Sequence, residues 1–420
     1  MSYFTQVAYS DTGSLDAFSR LRISQPETLF ATQTQYNTDP LQMEAGTSGS
    51  GATAPTWNSS TRMTALTVAT GTGASFLQSY QYSPYQPGKS HFVALTGVLG
   101  TGVATTTVDV GYFDANNGVI FRQNGATNLQ LILRTSTSGS ASDANIVAQS
   151  AWNIDRLDGS NVVNPSGITL DVTKAFILII DLQFLGMGRV RVGFDINGVV
   201  YYAHQFTNAN YLTVPYMQTA TLPVQMMVTS TSLTGTKTAY FKCATVQSEG
   251  GNTEKYGFPF CTPENTATAG NATRVPLISI RPKTTFNGVA NRTQFLPRAL
   301  NIYNTGNQDV LWEIVLGGAY SGQSWSDVNT TYSAYEYSST PGAYTNLTGG
   351  GIILSSGYAT RVANAGPLVD IDLTKILYGR PPITLDRSGA VRALGTMTVL
   401  VTGFAATSTM RGSIEYIEVQ

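Results

Sequence analysis

The chain has 420 residues, a formal net charge of −1, 42% apolar residues and only 12% charged ones. A typical globular domain carries about twice that charged fraction, so water must be met chiefly by Ser, Thr, Asn, Gln and Gly, a surface suited to burial between subunits. Dispersed Lys and Arg at near-zero net charge argue against a nucleic-acid footprint, and the longest apolar run, Ala175–Ile180, is too short to enter a membrane as a span.

In chain order, residues 1–15 are polar and aromatic, without the basic-then-apolar pattern of a secretory leader. Asp16–Ser24 then concentrates Phe18, Arg20, Leu21, Arg22 and Ile23, and is followed by Leu29 and Phe30. Apolar area beside guanidinium forks, which grip carboxylates or carbonyls, makes a compact docking peptide. The competing reading is an N-terminal strand packed on its own sheet. Thr28–Met43 leaves room for one or two helical turns. Gly46–Thr56, rich in Gly, Ser, Thr and Ala, cannot build a core, so residues 1–45 are read as an N-terminal attachment arm.

The body reads as strands. Phe92–Thr96, Thr107–Phe113 and Leu129–Arg134 are short, β-branched or aromatic, and bounded by Gly, Asn or Asp. Asn124-Gly125 marks a tight turn. Ala175–Leu182 is apolar on both faces, as in a central strand covered on both sides. Arg189–Ile196, Asn197-Gly198 and Val199–Phe206 form the clearest hairpin, because Asn-Gly supplies both positive-φ positions of a type I′ turn. There Arg189, Arg191 and Asp195 alternate with Val190, Val192, Phe194 and Ile196, giving one wet and one buried face. On the return strand His204 shares its face with Tyr202 and Phe206 by alternation.

Gln247–Thr273 lacks strand periodicity, and 251–273 reads as a linker. Strands resume at Val275–Ile280, Ala299–Tyr303, Val310–Leu316, Met397–Thr402 and Gly412–Val419. Leu373–Tyr378 predicts a short helix, with Asp372 as N-cap and Gly379 as stop. The expected fold is all-β: the arm at 1–45, then two antiparallel, jelly-roll-like β-sandwich domains at 46–250 and 274–420.

Catalytic equipment is sparse, and the chain reads as a non-enzyme. His91 and His204 are the only histidines. With Cys243 and Cys261 they match no zinc spacing, and the two cysteines read as thiols more readily than as a bridge. Asp114–Gly118 and Asp155–Gly159 resemble pieces of calcium loops but lack the closing Glu, and read as plain turns, which demand the same Asp-Gly and Asn-Gly residues. No metal or cofactor is expected. Asp181, Asp195, Glu313 and Glu336 are the acids available for glycoside cleavage, with no spacing that pairs them. Trp325, Tyr332, Tyr335, Tyr337 and Tyr344 crowd one loop-like stretch, where tyrosines could cover a sheet edge, join subunits or contact a host glycan.

Several segments together carry a family likeness. Asp16–Ser24 with Glu27–Phe30, Gly111–Asp114, Trp152–Gly159, Leu170–Lys174, Gly186–Arg191, Met217–Thr219, Leu222–Val224, Ser248–Gly251 and Arg281–Gly288 resemble a group of tailed-bacteriophage virion structural proteins of fibre, collar or decoration type, with a DAFxRLRxS opening. The likeness spans most of the chain except the tyrosine-rich stretch. It implies a particle component with no catalytic residues to carry over. The first expectation is a fibre- or adaptor-like protein, made in the bacterial cytoplasm and located in the virion. It would be homotrimeric and docked by its arm to capsid, neck or tail proteins. A head decoration protein is the alternative, and a glycan-binding or glycan-cleaving receptor protein the second.

Overall fold

The computed structural model describes residues 25–160, 165–251, 257–317, 322–339, 351–361, 369–376, 383–404 and 407–420. The first part of the chain runs through β1 (Glu27–Gln33), β2 (Met43–Ser48), β3 (Ala52–Asn58), β4 (Met63–Val68), β5 (Gly71–Ser79), β6 (Ser90–Val98), β7 (Thr106–Phe113), β8 (Gly118–Asn124), β9 (Asn128–Thr135), β10 (Ser142–Ala148), β11 (Phe176–Gln183), β12 (Val190–Ile196), β13 (Val199–Phe206), β14 (Val224–Leu233) and β15 (Lys237–Ser248). These make an eight-stranded sheet ordered β13-β12-β11-β6-β15-β4-β3, with β1 also on β15, and a seven-stranded sheet ordered β10-β9-β8-β7-β14-β5-β2.

The two sheets bury a common core. Leu95, Leu178, Ile180, Val192, Phe194 and Phe241 enter it from the first, and Val110, Tyr112, Phe121, Leu131, Met226 and Val228 from the second. The cause is the period of two. In β6, His91, Val93, Leu95 and Gly97 are buried, and every residue between them is only partly covered. β11 is central, paired with β6 and β12. Its outer face is only partly covered, since Ile179 is buried while Ile177 is exposed.

The β12–β13 hairpin forms as the sequence predicts at its turn, where Asn197 (φ 57°) and Gly198 (φ 83°) join Ile196 to Val199. Further along, a register shift corrects the sequence reading. Val192 faces His204 and Gly193 faces Tyr202, so Ala203 is an extra residue in β13. The bulge sends His204 and Phe206 inward and puts Tyr202 on the opposite, outer face. The Ala203 carbonyl accepts the N–H groups of Ile154 (3.1 Å) and Asp155 (3.0 Å), so loop backbone caps this sheet edge.

The second part contains β16 (Phe258–Cys261), β17 (Asn265–Ala269), β18 (Arg274–Pro282), β19 (Thr285–Phe286), β20 (Val289–Ala290), β21 (Gln294–Asn304), β22 (Val310–Leu316), β23 (Ser326–Asp327), β24 (Tyr335–Ser338), β25 (Ile352–Ala359), β26 (Val369–Asp372), α1 (Leu373–Ile376), β27 (Met397–Gly403) and β28 (Ser408–Val419). A five-stranded sheet, β16-β28-β21-β26 with β17 on β28, and a six-stranded sheet, β23-β24-β18-β27-β22-β25, bury a second core around Ile278, Ile302, Ile314, Val399, Ile414 and Tyr416.

Three sequence expectations change here. Residues 27–33 and 43–45, placed in the arm, lie in the sheet strands β1 and β2, and β1 takes up part of the Thr28–Met43 stretch allowed for helix. Within 251–273, β16 and β17 pair with β28; their short, Thr- and Pro-containing edge sequences hid the strand signal. The short helix is present as α1, where Asp372 Oδ1 accepts from the backbone N–H (3.0 Å) and hydroxyl (2.5 Å) of Thr374. Gly379, its expected stop, lies outside the described residues.

Candidate functional site

Of the expected docking residues, Phe18, Arg20, Leu21, Arg22 and Ile23 lie outside the described residues. Leu29 and Phe30 are a correction: both are buried in the first core, at 6% and 3% exposure. β1 pairs with β15, and the Leu29 carbonyl accepts from Gln81 Nε2 at 2.9 Å. Their apolar area is spent within the chain.

The aromatic group separates as well. Tyr335 is fully buried in the second core and donates its hydroxyl to the Thr293 carbonyl at 3.1 Å; burial pushes its pKa up. Tyr337 is half-buried against the same core, while Tyr332 is 68% exposed. Trp325 lies under the Arg281 guanidinium, 3.9 Å from the ring centre. Tyr344 lies outside the described residues. One face of β24 thus takes Tyr335 and Tyr337 inward, and no single aromatic platform forms from the described members.

The candidate acids are engaged in pairs or turns. Asp181 binds Arg191, Glu313 binds Arg274 (2.7 and 3.0 Å), and Glu336 binds Arg281 (2.5 Å). Asp195 accepts the Gly198 N–H of the hairpin turn at 2.9 Å. Asp181 and Asp195 belong to the first sheet pair and Glu313 and Glu336 to the second. Asp114 Oδ1 accepts from Asn116 and Asn117, and Asp155 accepts from Leu157 and Ser166, so both calcium-like loops use their leading carboxylate on their own backbone. No group of three metal-ligating side chains occurs among the described residues. His91 is buried beside the Tyr112 hydroxyl (3.3 Å), and burial lowers its pKa to about 4. Burial does the same to His204. Cys243 and Cys261 are free thiols.

Three concave features stand out. An open hollow beside β1 is bordered by Thr32, Tyr36, Asp39 and Cys243, but Thr32 Oγ1 already donates to Asp39 Oδ2 at 2.6 Å. A cleft of about 590 Å³ lies between the sheet pairs. The first pair contributes Leu29, Phe30, Leu41, Tyr80 and Tyr82; the second contributes Phe295, Leu316, Ile352, Leu354, Ile383 and Leu385. Among the described residues the titratable lining of this cleft is Glu27, Arg292 and the two tyrosines, whose pKa values burial raises. Such a wall offers apolar contact and little acid–base chemistry.

Three arginines of the second part close the junction beside this cleft. Arg292 lies 4.1 Å from the Tyr82 ring centre, Arg387 4.5 Å from Phe76 and Arg392 3.4 Å from Tyr80. The Arg387 backbone N–H donates to Glu44 Oε2 at 2.6 Å and its Nε to Gln78 Oε1 at 3.2 Å, while Arg392 reaches the Leu41 carbonyl at 3.3 Å. Burial raises the Glu44 pKa despite that backbone hydrogen bond. No local pattern announces this latch, because its hydrogen-bonded partners are 309 to 351 residues apart.

The third feature, about 380 Å³, lies on the outer face of the eight-stranded sheet at the ends of β6, β11 and β12. Arg191 Nε donates to Asp181 Oδ2 at 2.9 Å, its guanidinium sits 4.3 Å from the Tyr202 ring centre, and the Tyr202 hydroxyl reaches Asp181 Oδ2 at 3.4 Å. Burial, then the Asp181 charge, raises the Tyr202 pKa. Alternation puts Arg191 on the wet face, the β11–β12 register sets Asp181 opposite it, and the Ala203 bulge adds Tyr202.

The chain matches no family model and no curated protein sequence. Among solved structures it is similar to a Bacillus licheniformis β-glucanase, at 12% identity over 52% of this chain and 96% of that one, with a TM-score of 0.33. It is also similar to the CBM2 module of the evolved Dit of Lactobacillus casei BL23 phage J-1, at 8% identity over 55% and 100%, with a TM-score of 0.34. A third is the Shewanella oneidensis MR-1 protein SO2946, at 8% identity over 60% and 100%, with a TM-score of 0.35. At such values none of them bears on activity.

Proposed function

We propose that this chain is a structural component of a tailed-bacteriophage virion, fibre- or adaptor-like, held to the particle by residues 14–24 and carrying two β-sandwich domains. The observation that carries the reading is how the reactive side chains are used. Three of the four candidate acids are closed onto arginines, the fourth holds a turn, both histidines are buried, and the two sandwiches are latched by arginine–aromatic stacks. That pattern suits a rigid body that presents surface. The docking peptide is shorter than the sequence suggests, because β1 claims Leu29 and Phe30. In this reading the protein is a homotrimer whose neighbours are capsid, neck or tail proteins.

Gold-tagged antibody to this chain, viewed on virions, tests the placement. Label at the neck or tail is the expected result; label spread over the head supports the decoration role instead; unlabelled virions overturn the virion reading. Deletion of residues 1–24 is expected to leave a protein with an unchanged melting temperature that no longer joins particles. Loss of folding would assign the segment to the core.

A further inference from the structure

Among the described residues, the depression on the outer sheet face shares none with the junction cleft. Its floor spans four strands: Arg191, Asp181 and Phe92 are level by the register Asp181↔Arg191 and Asp181↔Phe92, and Tyr202, opposite Gly193 beside the Ala203 bulge, lies diagonally under Arg191. The two aromatic rings flank a fixed ion pair. Every contact Asp181 makes falls on Oδ2, from Arg191 Nε and Nη2 and from Tyr202, so Oδ1 has no partner among the described residues. Arg191 uses Nε and Nη2, so Nη1 is likewise open. The depression thus holds one open acceptor, Asp181 Oδ1, and one open donor, Arg191 Nη1, beside the rings of Tyr202 and Phe92.

We propose that this depression binds a saccharide unit bearing one carboxylate, as in acidic surface glycans. Hydroxyls of a sugar ring can donate to the open Oδ1 and accept from the open Nη1. The C–H faces of the ring pack on Tyr202 and Phe92. Arg191 is already held between Asp181 and Tyr202, so little side-chain freedom is lost on binding. The charge of the ligand follows from the rim. Lys89, Arg189 and Arg191 face Asp181 and Glu249, leaving one cation in excess. Glu249 accepts from Ser90 Oγ at 2.6 Å, and the exposed Arg189 guanidinium has no acid partner among the described residues. Arg189 is therefore the group that meets the carboxylate. The inference goes beyond a role in the particle and is independent of where the chain sits there.

The test is titration of the full chain with oligosaccharides of galacturonate, glucuronate, mannuronate and sialate, each beside its carboxyl-reduced form. At least one acidic oligosaccharide is expected to bind, with its reduced form about tenfold weaker. Arg189→Ala is expected to remove that preference without changing the melting temperature, and Tyr202→Ala to abolish binding of both forms. Arg189 is exposed, so its variant decides the matter even where Tyr202→Ala fails to fold. No binding by any acidic member at millimolar concentration overturns the proposal. So does equal affinity for the reduced form, or binding that Arg189→Ala leaves unchanged.

Discussion

At the centre of the first sandwich the rings of Phe121, Trp152, Phe176 and Phe194 meet, with Phe121 5.0 Å from Phe194 and Trp152 stacked on Phe194 at 6.4 Å. In the second sandwich Phe295, Tyr335 and Tyr416 cluster in the same way, but a carboxylate is buried among them. Glu418 is fully buried; its Oε1 accepts from the hydroxyls of Ser333 and Tyr416, and its Oε2 from the Ala334 N–H at 2.9 Å. At this ring cluster the first interior depends on apolar area and shape, which tolerate small repacking. The second depends on hydrogen bonds that each need their own partner, where one lost group strands the others.

Phe121→Ala is expected to break the first interior most severely, costing about 3–5 kcal/mol through the cavity it leaves. Hydrogen exchange resolved along the chain checks this: protection should fall in β8, β11 and β12 and persist in β28. Equal loss in β28 would mean that the two cores unfold as one.

Acid is expected to act on the first sandwich through His91. Its folded pKa, about 4, lies below the unfolded value of about 6.5. The unfolded state therefore binds the extra proton between those values. The stability is fully present above pH 6.5 and is lost as pH falls toward 4, by up to about 3 kcal/mol. A pH series of denaturant midpoints should show that loss, and His91→Gln should reduce it, leaving the part that buried His204 contributes.

Glu418→Ala is expected to cost the second sandwich about 2–3 kcal/mol, because Ser333, Tyr416 and the Ala334 N–H lose their acceptor. Exchange should then rise in β24 and β28 and not in β8, the reverse of the Phe121→Ala pattern. Smallest is the junction: Arg392→Ala should cost about 1 kcal/mol, the scale of one cation–π contact, with protection in both interiors retained. A melting shift as large as that of Phe121→Ala would make the latch part of the core.

Much of the all-β fold is legible because alternation is a local signal. Val310–Leu316 and Met397–Thr402 appear as strands at or within a residue of their expected bounds. The Asn197-Gly198 turn is equally local, since two positive φ values need those residue types. What escaped reading is non-local. Leu29 and Phe30 looked like a docking peptide because nothing near them announces β15, where Thr245 meets Phe30 across 215 residues of chain. β16 and β17 look like linker because an edge strand needs only a partner, here β28, and little pattern of its own. Tyr335 and Tyr332 look alike in a tyrosine-rich stretch, yet one is core and the other surface.

The sequence by itself determined the class of structure and the shape of its hairpins, through period-two alternation, turn chemistry and an uncharged polar surface. The tertiary structure decided which polar groups stand open. A single bulge at Ala203 moves Tyr202 to the face of Arg191 and Asp181, and a register shift of that kind leaves no mark on composition. It is set by how β12, β13 and the capping loop at Ile154 fit together in space.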